Sequence, residues 1–197
     1  MNYTINHVIN ECELDRALAF AQRIFGKNEP GLEAQSRNKW IERISAHPEL
    51  MLFAEANNEV IAIVLSFLES NGNITISVVA TDKRYRKHGI AKELMLLIEK
   101  HAKALGVHLL ALGSAETAEG FYAKLGYTEQ LLIQSQKHAI DELLSLNPGY
   151  PIAFTNTYDG TVNQVCLELP QANRALQKLY ETTFDHCYTQ TMFRKTI

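Results

Sequence analysis

Apolar positions along the chain switch repeatedly between a period of roughly 3.6 residues and one of about 2, the spacings of a one-faced helix and a half-buried strand. Thr4 to Ile9 reads as a short first strand. From Glu13 to Phe25, the residues Leu14, Ala17, Leu18, Ala21, Ile24 and Phe25 share one helical face, and Gly26 is placed to end it. A Pro30-Gly31 break follows. A second helix is expected from about Glu33 to Ser45, with Trp40, Ile41 and Ile44 on its apolar side, ending before Pro48. Met51 to Ala56 and Val60 to Phe67 are β-rich apolar runs joined by Asn57-Asn58-Glu59, and Asn tolerates the positive φ of a tight hairpin turn. Asn71-Gly72-Asn73 makes a second turn into a strand at Ile74 to Val79. Ile90 to Leu105 is a strong helix, with Leu94, Leu97, Ile98 and Ala102 at core spacing and Gly106 just beyond its end. Leu109 to Leu112, Ala118 to Leu125 and Glu129 to Ile133 read as strand, short helix and strand.

The order β-α-α-β-β-β-α-β-α-β combines hairpins with βαβ crossovers and predicts an α/β (α+β) fold, a mixed, mostly antiparallel central sheet flanked by helices. Residues after about Gln136 form a separate pattern. A helix over Lys137 to Leu146 leads to a turn at Asn147-Pro148-Gly149 and a hairpin closed near Asp159-Gly160. A helix over Gln171 to Phe184 and a last strand over Tyr188 to Lys195 follow. The expected division is a larger domain, 1–135, and a small C-terminal α+β accessory unit, 136–197.

Composition narrows the field without naming a chemistry. Of 197 residues, 46% are hydrophobic and 21% charged, ordinary globular usage. With 19 Lys and Arg against 22 Asp and Glu, the formal charge is −3, which gives no sign of a general nucleic-acid or anionic-membrane binder. Cys12, Cys166 and Cys187 lie far apart and are odd in number, so reduced thiols in a cytoplasmic protein are expected rather than a disulfide framework. Met1 to Glu13 lacks the apolar core of a signal peptide, and the run Val60 to Leu65 falls far short of the ~20 residues that span a bilayer. No membrane or nucleic-acid partner is expected.

One segment carries more chemistry than the rest. From Lys83 to His88, four of six residues are permanently basic, and the run ends at Gly89, which opens a helix. Unpaired N–H groups at a helix start, together with the helix dipole, attract anions. Gly89 has no Cβ to keep a phosphate away from the backbone, and Ala91 is small, so the arrangement suits a pyrophosphate. A basic turn before a helix is also a common solvated connection. Two familiar phosphate loops are absent: the sequence has no GxxxxGK[ST], and no GxGxxG followed by an acidic residue on the next strand.

Arg86-Lys87-His88-Gly89-Ile90-Ala91 resembles the R/Q-x-x-G-x-G/A signature of the GNAT N-acetyltransferases. Val78-Val79-Ala80-Thr81 before it is similar to the family's bulged strand, and Tyr85-Arg86 to its aromatic-basic lead-in. The stretch from Leu109 to Tyr127, containing Phe121-Tyr122-Ala123-Lys124-Leu125-Gly126-Tyr127, resembles the strand, short helix and F-Y-x-K-x-G-[FY] segment that closes the acetyl-CoA site. The likeness covers roughly residues 2 to 135. Thr81 stands where many members have proline, Ala91 replaces a second glycine, and His88 is an unusual loop residue.

The resemblance implies an acyl-CoA N-acyltransferase fold and, residue by residue, a set of roles. Backbone groups of Val78, Val79 and Ala80 would pair with pantetheine like an added strand. Loop amides from Arg86 through Lys87, His88, Gly89 and Ile90 to Ala91 would hold the pyrophosphate, with Arg84, Arg86 and Lys87 nearby. Ser114 would line the cofactor cleft. Tyr122 would stand beside the acetyl-CoA sulfur as the catalytic group, hydrogen-bonding or protonating the departing thiolate, with Phe121 as packing. The implied activity is transfer of an acetyl group from acetyl-CoA to a primary amine, on a small molecule or peptide, by direct attack in a ternary complex. The general base stays open: Glu69, Glu116 and a water relay through Ser77 or Thr75 are reachable candidates. The rival reading is a non-catalytic acyl-CoA sensor whose C-terminal unit forms a partner or homodimer surface. The seven histidines show no HxxxH or HExxH spacing, so no metal is expected.

Overall fold

The computed structural model describes residues 1–26 and 36–197 and resolves them into two compact units, Met1–Leu110 with Thr196–Ile197, and Ala111–Lys195. Pro30-Gly31 and the expected start of the second helix lie outside the described residues.

In the first unit, β1 (Thr4–His7), β2 (Met51–Ala56), β3 (Glu59–Leu68) and β4 (Ile74–Thr81) form an antiparallel meander in that order. The hairpin between β2 and β3 turns through Asn57 and Asn58 at φ 51° and 62°, the left-handed pair its twist requires. β3 is buried without a break from Val60 to Phe67, so both faces of the sheet are covered. One face takes α1 (Glu11–Phe25) and α2 (Arg37–Ala46), whose Leu14, Ala17, Phe20, Trp40 and Ile44 pack with Met51, Phe53, Ile63 and Leu65. The other face takes α3 (Ile90–Ala104), which packs on β2, β3 and β4 through a stripe that includes Leu94, Ile98 and Ala102. α1 begins two residues earlier than its apolar pattern because Asn10 caps it, accepting the Glu13 N–H at 2.9 Å.

β4 carries the irregularity that shapes the candidate site. Leu65 pairs with Val78 but Ser66 pairs with Ile76, which leaves Ser77 as one extra residue, a β-bulge. Bulges bend a strand and leave a backbone position unpaired, and they are frequent beside functional sites.

The last residues of β5 (Leu109–Gly113) open the second unit. α4 (Glu119–Lys124) follows a single 3-10 turn at Glu116–Ala118, and together they replace the one helix expected over Ala118 to Leu125. β6 (Thr128–Ser135) then lies between β9 (Cys187–Thr196) and β8 (Val162–Glu168), and β7 (Ile152–Tyr158) closes the outer side of β8, every pair antiparallel. α5 (Ile140–Leu144) and α6 (Arg174–Thr183) bury Leu143, Leu176 and Tyr180 against Leu131, Ile133, Val165 and Leu167.

β6 pairs along its length with β8 and β9, so it shares a sheet with the chain that follows. The helix expected over Lys137 to Leu146 shrinks to Ile140–Leu144. Ser135 Oγ accepts the N–H groups of Lys137 and His138, both at 3.1 Å, and this local turn competes with helix formation.

Candidate functional site

The loop from β4 to α3 is built on Asp82. Its N–H donates to the Ile61 carbonyl at 2.9 Å, fixing the strand end, and its Oδ1 accepts the Arg84 N–H at 2.9 Å, capping the 3-10 turn Lys83–Tyr85. The Arg84 guanidinium folds back onto the same carboxylate, Nε to Oδ1 at 3.2 Å and Nη2 to Oδ2 at 3.0 Å, and also reaches Glu59 at 3.2 Å. Those bonds hold the Asp82 carboxyl below the usual carboxylate range and push Arg84 upward. The charge of Arg84 is therefore matched within the protein, which its place in the basic run could not show.

Beyond this turn the chain presents Arg86, Lys87, His88 and Gly89, all exposed. Arg86 Nε donates to the Thr81 carbonyl at 3.1 Å, so that side chain lies along the end of β4. Lys87 and Gly89 are left-handed, at φ 66° and 83°, on either side of His88. Left-handed residues in such a loop turn successive N–H groups toward a common side, the geometry of an anion-binding nest. Gly89 is the N-cap of α3 and supplies no side-chain cap, so the first N–H groups of the helix, at Ile90 and Ala91, receive no side-chain acceptor. A Cβ built on Gly89 would meet nothing within 4 Å, which leaves the approach to those N–H groups open. The arrangement sets uncapped backbone donors beside the exposed cationic side chains of Arg86 and Lys87, a chemistry that suits an anion.

On β4, Val78 and Ala80 are buried beneath α1 and α2, whereas Val79 is half-buried. Behind them, Thr75 donates its hydroxyl to Glu69 at 2.8 Å, so two of the candidates for proton removal form one hydrogen-bonded pair.

In the second unit, Ser114 follows β5 and is fixed by its N–H to the Thr191 carbonyl at 3.0 Å, while its hydroxyl donates to the Ala115 carbonyl at 2.9 Å. Tyr122 is buried on α4, with its ring 5.5 Å from Phe193, 6.2 Å from Tyr127 and 5.1 Å from Phe121. Burial pushes its phenol up to about 12. Glu116 is largely exposed and 4.0 Å from Arg174. Sequence reasoning overlooked Asp82, although an Asp two residues before Arg84 is the signal of an Asx turn, and Glu59, whose pairing depends on the hairpin register.

The sequence profile of the Acetyltransferase (GNAT) family matches residues 14–127, more than half of the chain. The chain belongs to the GNAT acetyltransferase family. The matched span of this GNAT chain contains the β4 bulge, the basic loop, α3 and Tyr122. Among solved structures it is similar to the PaiA N-acetyltransferase of Thermoplasma acidophilum in complex with coenzyme A, at 16% identity and TM-score 0.53 over 86% of this chain and 100% of that one. A GCN5-related N-acetyltransferase from Kribbella flavida is similar at 15% identity and TM-score 0.59, over 99% of this chain and 72% of that one. The N-acetylglutamate synthase of Neisseria gonorrhoeae, complexed with coenzyme A and N-acetyl-glutamate, matches at 15% identity and TM-score 0.53, over 100% of this chain and 35% of that one. At these identities the likeness is one of fold. No curated protein matches the sequence. Among the described residues of this GNAT chain, no helix is long and apolar enough to cross a membrane, and no group of three or more His, Cys, Asp or Glu side chains is arranged to hold a metal ion.

Proposed function

We propose that the chain is an acetyl-CoA-dependent N-acetyltransferase that moves an acetyl group to a primary amine within a ternary complex. The observation that carries this reading is the start of α3. A left-handed Gly89 without a side-chain cap leaves helix-end N–H groups open, and the exposed Arg86, Lys87 and His88 precede it.

Loop amides from Arg86 to Ala91 would bind the pyrophosphate, with Arg86 and Lys87 adding charge and His88 at the same rim. Arg84 is better described as a brace for the loop, since Asp82 and Glu59 already occupy it. Val78, Val79 and Ala80, following the Ser77 bulge, would orient the pantetheine arm through their backbone groups. Acetyl-CoA supplies the thioester, and orientation beside the amine provides much of the acceleration. Ser114 would line the cleft. The assignment of Tyr122 rests on its place in the F-Y-x-K-x-G-[FY] segment, and its phenol would hydrogen-bond the departing sulfur. Thr75 with Glu69 supports a route for the amine proton, because the hydroxyl already donates to that carboxylate.

Thermal shift and CoA release test the reading together. Acetyl-CoA at 100 times its dissociation constant should stabilise the protein by about 2.7 kcal/mol, a rise of roughly 5–11 °C. Free thiol should then appear in the presence of at least one member of an amine panel. A rise without thiol release would favour the sensor reading, and no rise would remove both.

A further inference from the structure

β7 is the last strand of its sheet: β8 pairs with one side, and among the described residues no strand pairs with the other. Edge strands of soluble proteins are commonly blunted by charged side chains, since an open row of backbone N–H and C=O groups invites pairing. This one is not. Between Asn147 and Tyr158 the sequence carries no charged residue. Phe154 and Tyr158 are 44% and 57% exposed, and Thr155, Asn156 and Thr157 between them are exposed as well. A bulge at Ala153 ends the regular ladder on the β8 side, which leaves Phe154–Tyr158 as the regular stretch.

We propose that β7 is a self-pairing edge, which joins two copies of this chain antiparallel about a twofold axis at Asn156. The sequence of the stretch is complementary to itself in that register. Phe154 falls opposite Tyr158 of the second copy, twice by symmetry, on the face of the sheet that carries Asn156. Thr155 falls opposite Thr157 on the other face, again twice, and Asn156 faces its own copy on the axis. Aromatic pairs and Thr–Thr pairs are among the favourable cross-strand neighbours, and no position sets like charges opposite each other. Self-complementarity of this kind is what an isologous interface demands, and it selects a second copy over an unrelated strand.

Sedimentation velocity and light scattering over a concentration series of the full chain test the proposal. The mass should rise from 22.2 kDa toward about 44 kDa, twice the chain. Asn156→Lys and Asn156→Asp each set like charges opposite each other on the axis, and each should weaken the dimer at least ten-fold while leaving the circular dichroism spectrum unchanged. An equimolar mixture of the two variants should dimerise again, because the axis then carries opposite charges. A wild-type chain that stays monomeric up to its solubility limit would overturn the proposal. So would a dimer indifferent to both substitutions, or a mixture that remains monomeric.

Discussion

Arg84 and Asp82 form a closed pair at the mouth of the candidate anion site: two side-chain hydrogen bonds of 3.2 and 3.0 Å, and a third at 2.9 Å from the Arg84 backbone to the same carboxylate. The pair holds the 3-10 turn that sets where Arg86 to Gly89 emerge. Arg84→Ala should therefore leave CoA affinity within about two- to three-fold of wild type, as expected for a screened surface pair, while Arg86→Ala should weaken it about ten-fold or more. Isothermal titration with CoA decides between them. A larger loss from Arg84→Ala than from Arg86→Ala would return Arg84 to direct phosphate binding.

Asp82→Ala removes the cap together with the guanidinium anchor. The cap alone is worth about 1 kcal/mol, so a fall in Tm of a few degrees is expected, accompanied by weaker CoA binding. Since the folded Asp82 carboxyl is held below its ordinary range by Arg84, its contribution is complete above about pH 4 and disappears as pH falls through the lower, folded value. Wild type and Asp82→Ala should thus converge in stability under acid conditions and differ at neutral pH. A constant difference down to acid pH would mean that the charge on Asp82 contributes nothing.

Gly89→Val separates folding from binding. A Cβ at this position meets no protein atom within 4 Å, so the folding cost is confined to the left-handed backbone at φ 83°, roughly 1–2 kcal/mol. The branched side chain would nevertheless stand over the first N–H groups of α3, where a phosphate must approach. CoA affinity should fall at least ten-fold in a protein that is still folded by circular dichroism. Retained affinity would place the anion elsewhere.

The loop and its glycine were legible in the sequence because local chemistry determines them: Asn57-Asn58 had to be a turn, and Gly89 had to begin a helix. What escaped depends on partners distant in sequence. The pairing of Arg84 with Glu59 requires the β2–β3 hairpin and the return of β4 beside it. The place of β6 between β8 and β9 follows from a closing strand some fifty residues later, which no local period records. The helix expected at Lys137 was lost to a serine: Ser135 offers the next N–H groups an acceptor, and the ring of His138 is drawn to Asp185 and Glu142 instead of following a helical face.

His138 makes a pH-dependent clamp in the second unit. Its Nδ1 lies 3.0 Å from Glu142 and its Nε2 3.0 Å from Asp185, with the ring against Phe184. Burial opposes the charged form, but the two carboxylates outweigh it and raise the imidazole above its ordinary value. A raised folded value means that the stabilisation is complete below about pH 6.5 and is lost as pH rises through the folded pKa. Hydrogen exchange of the segment from Ser135 to Leu144 should quicken across that interval beyond the intrinsic pH effect, and His138→Gln should remove the excess. An excess that survives in the variant would assign the transition to another group.

Tyr122 offers the sharpest test of chemistry. Its phenol is pushed up to about 12 by burial, whereas a simple thiol sits near 8.5, so complete proton transfer to a departing thiolate is uphill by roughly 5 kcal/mol. A hydrogen bond requires no such transfer and grows stronger as charge collects on the sulfur. Tyr122→Phe keeps the ring packed against Phe193 and Tyr127 and deletes only the donor. The kcat should fall about 10- to 100-fold, the worth of one hydrogen bond to a charged group, while the KM for acetyl-CoA changes by less than about three-fold. Because the phenol stays protonated well above neutrality, the pH–rate profiles of wild type and variant should differ in height and not in their limbs. An alkaline limb between pH 8 and 10 that vanishes in Tyr122→Phe would show the phenol titrating in that range and acting as a proton donor. An unchanged kcat would leave Tyr122 as one ring of an aromatic cluster.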